Sequence, residues 1–97
     1  MEVLNYEYPA SRIVQRRVHV GVVGSGDLEV IIEPLGGSVA KVVINTSVDG
    51  FGSVWKAMVD RFFSRFDGCV AIEVNDFGAT PGVVLLRLEQ AVEELGQ

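Results

Sequence analysis

The chain has a single cysteine and a single histidine among 97 residues, and each scarcity removes a class of function. Cys69 has no partner for an intramolecular disulfide, and it sits in the apolar run Cys69-Val70-Ala71-Ile72, the setting of an inert core thiol. One His and one Cys cannot supply the four ligands of a usual soft-metal centre, so no metal site is expected. Basic residues are also few. Eight Lys and Arg stand against thirteen Asp and Glu, a net charge of -5, whereas nonspecific nucleic-acid binding needs a basic face to neutralise phosphates. Long apolar runs are missing as well: strand-sized stretches broken by Asp, Glu, Asn or Gly fall short of the roughly 20 residues that span a bilayer. The start, Met1-Glu2-Val3-Leu4-Asn5-Tyr6-Glu7-Tyr8, lacks the basic and then apolar order of a secretory signal. A soluble, cytoplasmic protein with no membrane or nucleic-acid partner is the expectation.

What is present suits one packed domain over residues 1–97, since a second core does not fit in a chain of this length. Apolar residues make up 48% and charged residues 22%, an ordinary globular composition. Residues 16–23 are rich in β-branched side chains, with Val18, Val20 and Val22 on one face, and predict a strand. Leu28 to Glu33 predict a second strand, closed by Pro34, which cannot continue a central ladder. Gly24, Ser25, Gly26 and Asp27 between them have the composition and length of a hairpin turn. After Gly36-Gly37, Ala40 to Thr46 read as a third strand extending a meander.

Helical spacing follows: Trp55, Met58, Val59, Phe62, Phe63 and Phe66 fall on one face, with Ser53 or Asp49 as the expected cap and Asp67-Gly68 as the stop. Cys69 to Val74 form a fourth strand. Thr80 as N-cap and Pro81 at the first helical position open a last helix to about Leu95, with Val84, Leu88, Ala91, Val92 and Leu95 inward. The expected fold is α+β, a single mostly antiparallel sheet in β-β-β-α-β-α order covered by two helices.

Candidate chemistry concentrates at Ser25. Turns favour Gly and Ser for conformational reasons alone, so a plain turn residue is one reading. The other is an attachment point, because flanking glycines clear the approach of a modifying enzyme to the hydroxyl, and Asp27 orients the turn through an Asx-type bond. A nucleophilic serine needs an adjacent base, and His19 lies six residues away along an extended run, too far for a dyad. Asp76-Phe77-Gly78 matches a kinase metal-binding tripeptide without the rest of that machinery, and reads better as a structured turn near a partner surface. Arg12, Arg16 and Arg17 form a small basic cluster, either a solvated strand start or a contact for an acidic partner.

The separated segments Val23-Gly24-Ser25-Gly26-Asp27-Leu28-Glu29-Val30, Glu33-Pro34, Asp76-Phe77-Gly78-Ala79-Thr80-Pro81-Gly82-Val83-Val84 and Arg87-Leu88-Glu89-Gln90-Ala91, in this order, resemble the delta, or acyl-carrier, subunits of malonate decarboxylases. The likeness runs from Tyr6-Glu7-Tyr8-Pro9-Ala10 to Glu93-Glu94. Citrate lyase carrier subunits, which share the Ser-Gly-Asp turn, are the more distant alternative, and an unmodified structural or regulatory subunit is another.

The resemblance implies that Ser25 carries phosphoribosyl-dephospho-coenzyme A through a phosphodiester, installed by a dedicated prosthetic-group transferase, with Gly24, Gly26 and Asp27 forming the turn. It implies that the cofactor's thiol is acetylated, that a malonyl-transferring acyltransferase subunit exchanges acetate for malonate, and that decarboxylase subunits release carbon dioxide. The chain itself then contributes no catalytic residue. Helical-bundle acyl carriers place the modified serine after an aspartate at a helix start; here the aspartate follows, so the likeness is one of role and not of fold.

Overall fold

The computed structural model describes every residue except Val23, Ser25 and Gln97. Strands β1 (Glu2–Pro9), β2 (Arg12–Ile13), β3 (Val18–Gly21), β4 (Leu28–Pro34) and β5 (Val39–Thr46) precede helix α1 (Gly52–Phe63). Strand β6 (Gly68–Asp76) and helix α2 (Pro81–Leu95) complete the domain. The sheet order is β1-β5-β6-β4-β3, with the short β2 paired in parallel to the start of β6. All neighbours on the main path are antiparallel except β5 and β6. The α+β, mostly antiparallel sheet with two helices is therefore present.

Two expectations about the sheet need correction. The N-terminal segment is a full edge strand: Leu4, Tyr6 and Tyr8 turn toward the helices and Val3, Asn5 and Glu7 away, giving strict alternation in burial. The strands also do not form a meander, because β6 enters between β4 and β5. The physical reason lies in β6 itself, whose residues Cys69, Val70, Ile72 and Val74 are all buried. An apolar strand of that kind gains most from the sheet centre, while β1, with its polar alternate residues, is suited to the edge. The β5-α1-β6 crossover is the length that parallel pairing requires.

One face of the sheet carries the core. Leu28, Val30, Ile32, Ala40, Val42 and Ile44 are buried there, against Trp55 and Val59 of α1 and Val84, Leu88, Ala91 and Leu95 of α2. Tyr8 stacks on Phe63 with ring centroids 4.4 Å apart, and its hydroxyl donates to Asp60 at 2.5 Å.

Helix α1 departs from expectation at both ends. Its N-cap position is Phe51, which provides no side-chain bond, and Asp49 instead pairs with the N-terminal ammonium at 3.0 Å. The helix closes at Ser64, whose hydroxyl donates to the Arg61 carbonyl at 2.6 Å. Gly68 serves close packing instead: a Cβ there would lie 2.5 Å from Phe66 Cζ and 2.8 Å from Val14 Cγ2. Phe66 is buried beyond the helix end and Cys69 is buried within β6. At α2 the Thr80 hydroxyl accepts from the Val83 N–H at 3.4 Å with Pro81 in the first turn, as the sequence predicts.

Candidate functional site

The expected pairing of the two strands is present, β3 and β4 running antiparallel with Val20 opposite Val30 and Gly21 opposite Glu29. Gly21 closes β3 at a φ of 82° and approaches Leu28 so closely that a Cβ would meet its carbonyl oxygen at 2.1 Å. Only glycine fits there. Gly24, Gly26 and Asp27 are described; Ser25, the predicted attachment residue, lies outside the described residues.

The turn is braced from three sides. Within it, the Asp27 N–H donates to the Gly24 carbonyl at 3.1 Å. From the loop after β6, the Gly26 N–H donates to the Phe77 carbonyl at 2.8 Å and the Phe77 N–H to the Asp27 carbonyl at 3.0 Å. From α2, Arg87 grips the Asp27 carboxylate with both prongs of its guanidinium, Nε to Oδ1 at 3.2 Å and Nη2 to Oδ2 at 2.7 Å. Such fork geometry fixes direction as well as distance. The Leu28 N–H donates to the same Oδ1 at 2.7 Å, so Asp27 bonds to the next residue and not in the predicted Asx pattern two residues on. Gln90 accepts from Arg87 Nη1 at 2.9 Å and aims the guanidinium.

The electrostatics follow from that grip. The Arg87 guanidinium first, and then the Leu28 N–H, holds the Asp27 carboxyl below the ordinary carboxylate range against the opposing effect of desolvation. Asp27 in turn raises Arg87. The 77–80 loop is anchored deeper: Asp76 accepts from the buried Thr46 hydroxyl at 2.8 Å and from the Ala79 N–H at 2.9 Å. Asp76-Phe77-Gly78 is thus a structured turn, and its backbone is what Gly26 and Asp27 bind.

Among the described residues, chain neighbours aside, a Cβ added at Gly24 or Gly26 would meet nothing within 4 Å. A shallow cleft of about 600 Å³ beside the turn is bordered by His19, Gly21, Arg87 and Gln90. His19 points its Nε2 to Glu29 Oε2 at 2.8 Å, within a polar row on the uncovered sheet face that continues through Asn75 to Asn45. Arg12 pairs with Asp67 at 2.9 Å and Arg17 with Glu33 at 2.8 Å, so two of the three clustered arginines are engaged within the chain. Among the described residues no group of three or more His, Cys, Asp or Glu side chains could hold a metal ion, and no helix is long and apolar enough to cross a membrane.

Arg87 and Thr46 are the site residues that sequence reasoning did not single out, and Asp76 stood out only as part of a structured turn. Arg87 stands in one of the segments that carry the family resemblance, but helical spacing shows only that it leaves the core face. Its partner is sixty positions away in the chain.

The architecture is a one-layer sheet backed by two helices, with Gly26 and Asp27 before β4 braced from a distant loop and helix. Comparison with known proteins places it in the class of acyl carriers that are not helical bundles. Residues 15–95 match the family described as malonate decarboxylase delta subunit (MdcD). The chain is 48% identical over 97 residues to the malonate decarboxylase acyl carrier protein of Pseudomonas paraeruginosa, covering 99% of this chain and 98% of that protein. It is 45% identical over 96 residues to the acyl carrier protein of that name from Azotobacter vinelandii, covering 98% and 97%. A chain in the crystal structure of a Pseudomonas malonate decarboxylase hetero-tetramer in complex with malonate superposes with a TM-score of 0.94 at 46% identity, over 99% of this chain and 100% of that one. The chain belongs to the malonate decarboxylase acyl carrier, or delta subunit, family.

Proposed function

We propose that this chain is the carrier subunit of a cytoplasmic malonate decarboxylase, and that Ser25 bears phosphoribosyl-dephospho-coenzyme A as a phosphodiester. The observation that supports this most is the bracing of the turn. The loop after β6 and helix α2 hold Gly26 and Asp27, and the Asp27 N–H closes the turn on the Gly24 carbonyl, while among the described residues no atom beyond the chain neighbours stands within 4 Å of a Cβ at either glycine. Rigid flanks with clear space are what a modifying transferase requires of its acceptor, since loop ordering is otherwise a cost of docking.

That clearance fits a bulky group leaving the surface. When bound, that group supplies a thioester whose carbonyl accepts the charge developing as carboxylate leaves. The residues of this chain orient and present: Arg87 fixes Asp27, Asp27 holds Leu28 and the turn, and the Phe77 backbone closes the other side. The partners on this reading are the acyltransferase and decarboxylase subunits of a hetero-tetramer like the similar Pseudomonas complex, together with the transferase that installs the group. Tethering keeps the acyl group at high effective concentration for successive active sites.

Intact mass spectrometry of the chain isolated from its native host, followed by peptide mapping, tests the reading. The expected result is an added mass on the peptide containing Ser25 that matches the phosphoribosyl-dephospho-coenzyme A adduct. An unmodified chain in a complex that turns over malonate overturns it.

A further inference from the structure

A second depression lies at the same end of the molecule, on the other side of the loop that braces the turn. It is a groove of about 350 Å³ that touches Thr46 and Asp76, the last residues of the parallel strands β5 and β6, and reaches the first turns of α1 and α2. Trp55, Met58 and Val84 line it. At its rim Val48, Phe51 and Val54 are exposed by 39%, 50% and 40%. Three large apolar side chains left open around one groove are a patch that ordinarily meets a ligand or partner.

The groove abuts the carrier turn. Gly78 lines it, and a Cβ on Gly78 would stand 3.9 Å from the Gly26 nitrogen. Gly26 directly follows Ser25. Among the described residues no lysine or arginine lines the groove, and its one charged residue, Asp76, already has its two oxygens engaged by Thr46 and Ala79. The lining therefore offers apolar contact and no counter-ion for an anionic group.

We propose that this groove is a resting site for the acyl-thioester end of the arm carried at Ser25, selective for a neutral acyl group such as acetyl. The inference rests on the attachment reading above. A tether one residue from the groove's border makes occupancy an intramolecular event, so weak apolar contacts suffice. Sheltering the thioester among Phe51, Val54 and Trp55 removes it from water between visits to partner subunits.

Trp55 is the only tryptophan of the chain and is nearly buried in the groove wall, so it reports occupancy without any turnover assay. The isolated full-length chain is compared in three forms: unmodified, loaded with free thiol, and loaded and S-acetylated. The expected result is a change in Trp55 emission and in the methyl resonances of Val54 and Val84 on S-acetylation. Val54→Asp and, separately, Phe51→Asp abolish that change and speed hydrolysis of the acetyl thioester by about threefold, the factor expected if the arm rests in the groove for some two thirds of the time. Both substitutions fall at exposed positions, and circular dichroism checks that the fold is kept. Identical spectra for thiol and S-acetyl forms, or hydrolysis rates unchanged by both substitutions, overturn the proposal while leaving attachment at Ser25 intact. A chain that gains no mass at Ser25 overturns the attachment reading and this inference together.

Discussion

Two turns flank strand β4, and both are built from glycine and serine: Gly24-Ser25-Gly26 before it and Gly36-Gly37-Ser38 after it. Composition does not distinguish them, but their surroundings do. Among the described residues the second turn is tied only at its ends, where the Leu35 N–H donates to the Cys69 carbonyl and the Ala10 N–H to the Ser38 carbonyl, at 3.0 and 2.9 Å. The first is held by backbone bonds to Phe77 and by the Arg87 fork on Asp27. A connection that only reverses or carries the chain needs no side-chain bracing from a helix sixty residues away. One that must offer a residue to several partners gains from it, because pre-ordering lowers the cost of each docking event.

The largest predicted difference between the turns is chemical. Ser25→Ala removes the added mass and abolishes malonate turnover by the complex, whereas Ser38→Ala, at an exposed position of the other turn, leaves both unchanged. Mass spectrometry and carbon dioxide release measured on the two variants check this, and loss of loading in the Ser38 variant would erase the distinction.

Next in size is the effect of the brace. Arg87→Gln leaves Asp27 without its bidentate partner, and loading by the transferase is expected to slow several-fold. Amide exchange at Gly26, Asp27 and Leu28 speeds up while that at Gly37 and Ser38 stays the same. Arg87→Lys restores less than the charge alone would suggest, because an ammonium cannot reproduce the fork. Acid breaks the same contact. The folded Asp27 carboxyl lies below its ordinary range because Arg87 bonds to its charged form, so the contribution is complete above the unfolded value of about 3.9 and is lost as pH falls through the lower folded value. Amide exchange followed across that acid window on the wild-type and Arg87→Gln chains should differ above it and converge below it.

The elements legible in the sequence were those whose signal is local. Thr80-Pro81 marked the start of α2, the β-branched runs marked β3, β4, β5 and β6, and the glycine-rich segment marked the hairpin. What the sequence hid was set by partners far along the chain. The alternation of Leu4, Tyr6 and Tyr8 is a strand signal, but its value appears only when β5 supplies the pairing edge. The insertion of β6 between β4 and β5 is a competition among strands for the centre, which turn chemistry does not report. Arg87 follows the same rule: helical spacing shows that it leaves the core face, and only the folded chain brings it to Asp27.

The smallest effects separate the turns most sharply, since they can be made equal in everything but function. Neither Gly24 nor Gly36 has a positive φ, and among the described residues, chain neighbours aside, a Cβ at either meets nothing within 4 Å. Substituting alanine at such positions mainly restricts the unfolded chain, so Gly24→Ala and Gly36→Ala should each stabilise the fold by about 0.4–1 kcal/mol, measured as matching shifts in denaturant midpoint. Loading should then part them. Gly36→Ala leaves the rate of modification as it was, while Gly24→Ala slows it, because the added methyl is next in sequence to Ser25, the proposed acceptor, around which the transferase must close. Equal stability with unequal loading places the requirement for glycine at position 24 in access by a partner and not in folding; equal loading would reduce the Gly24 side of the turn to a chain reversal like its counterpart.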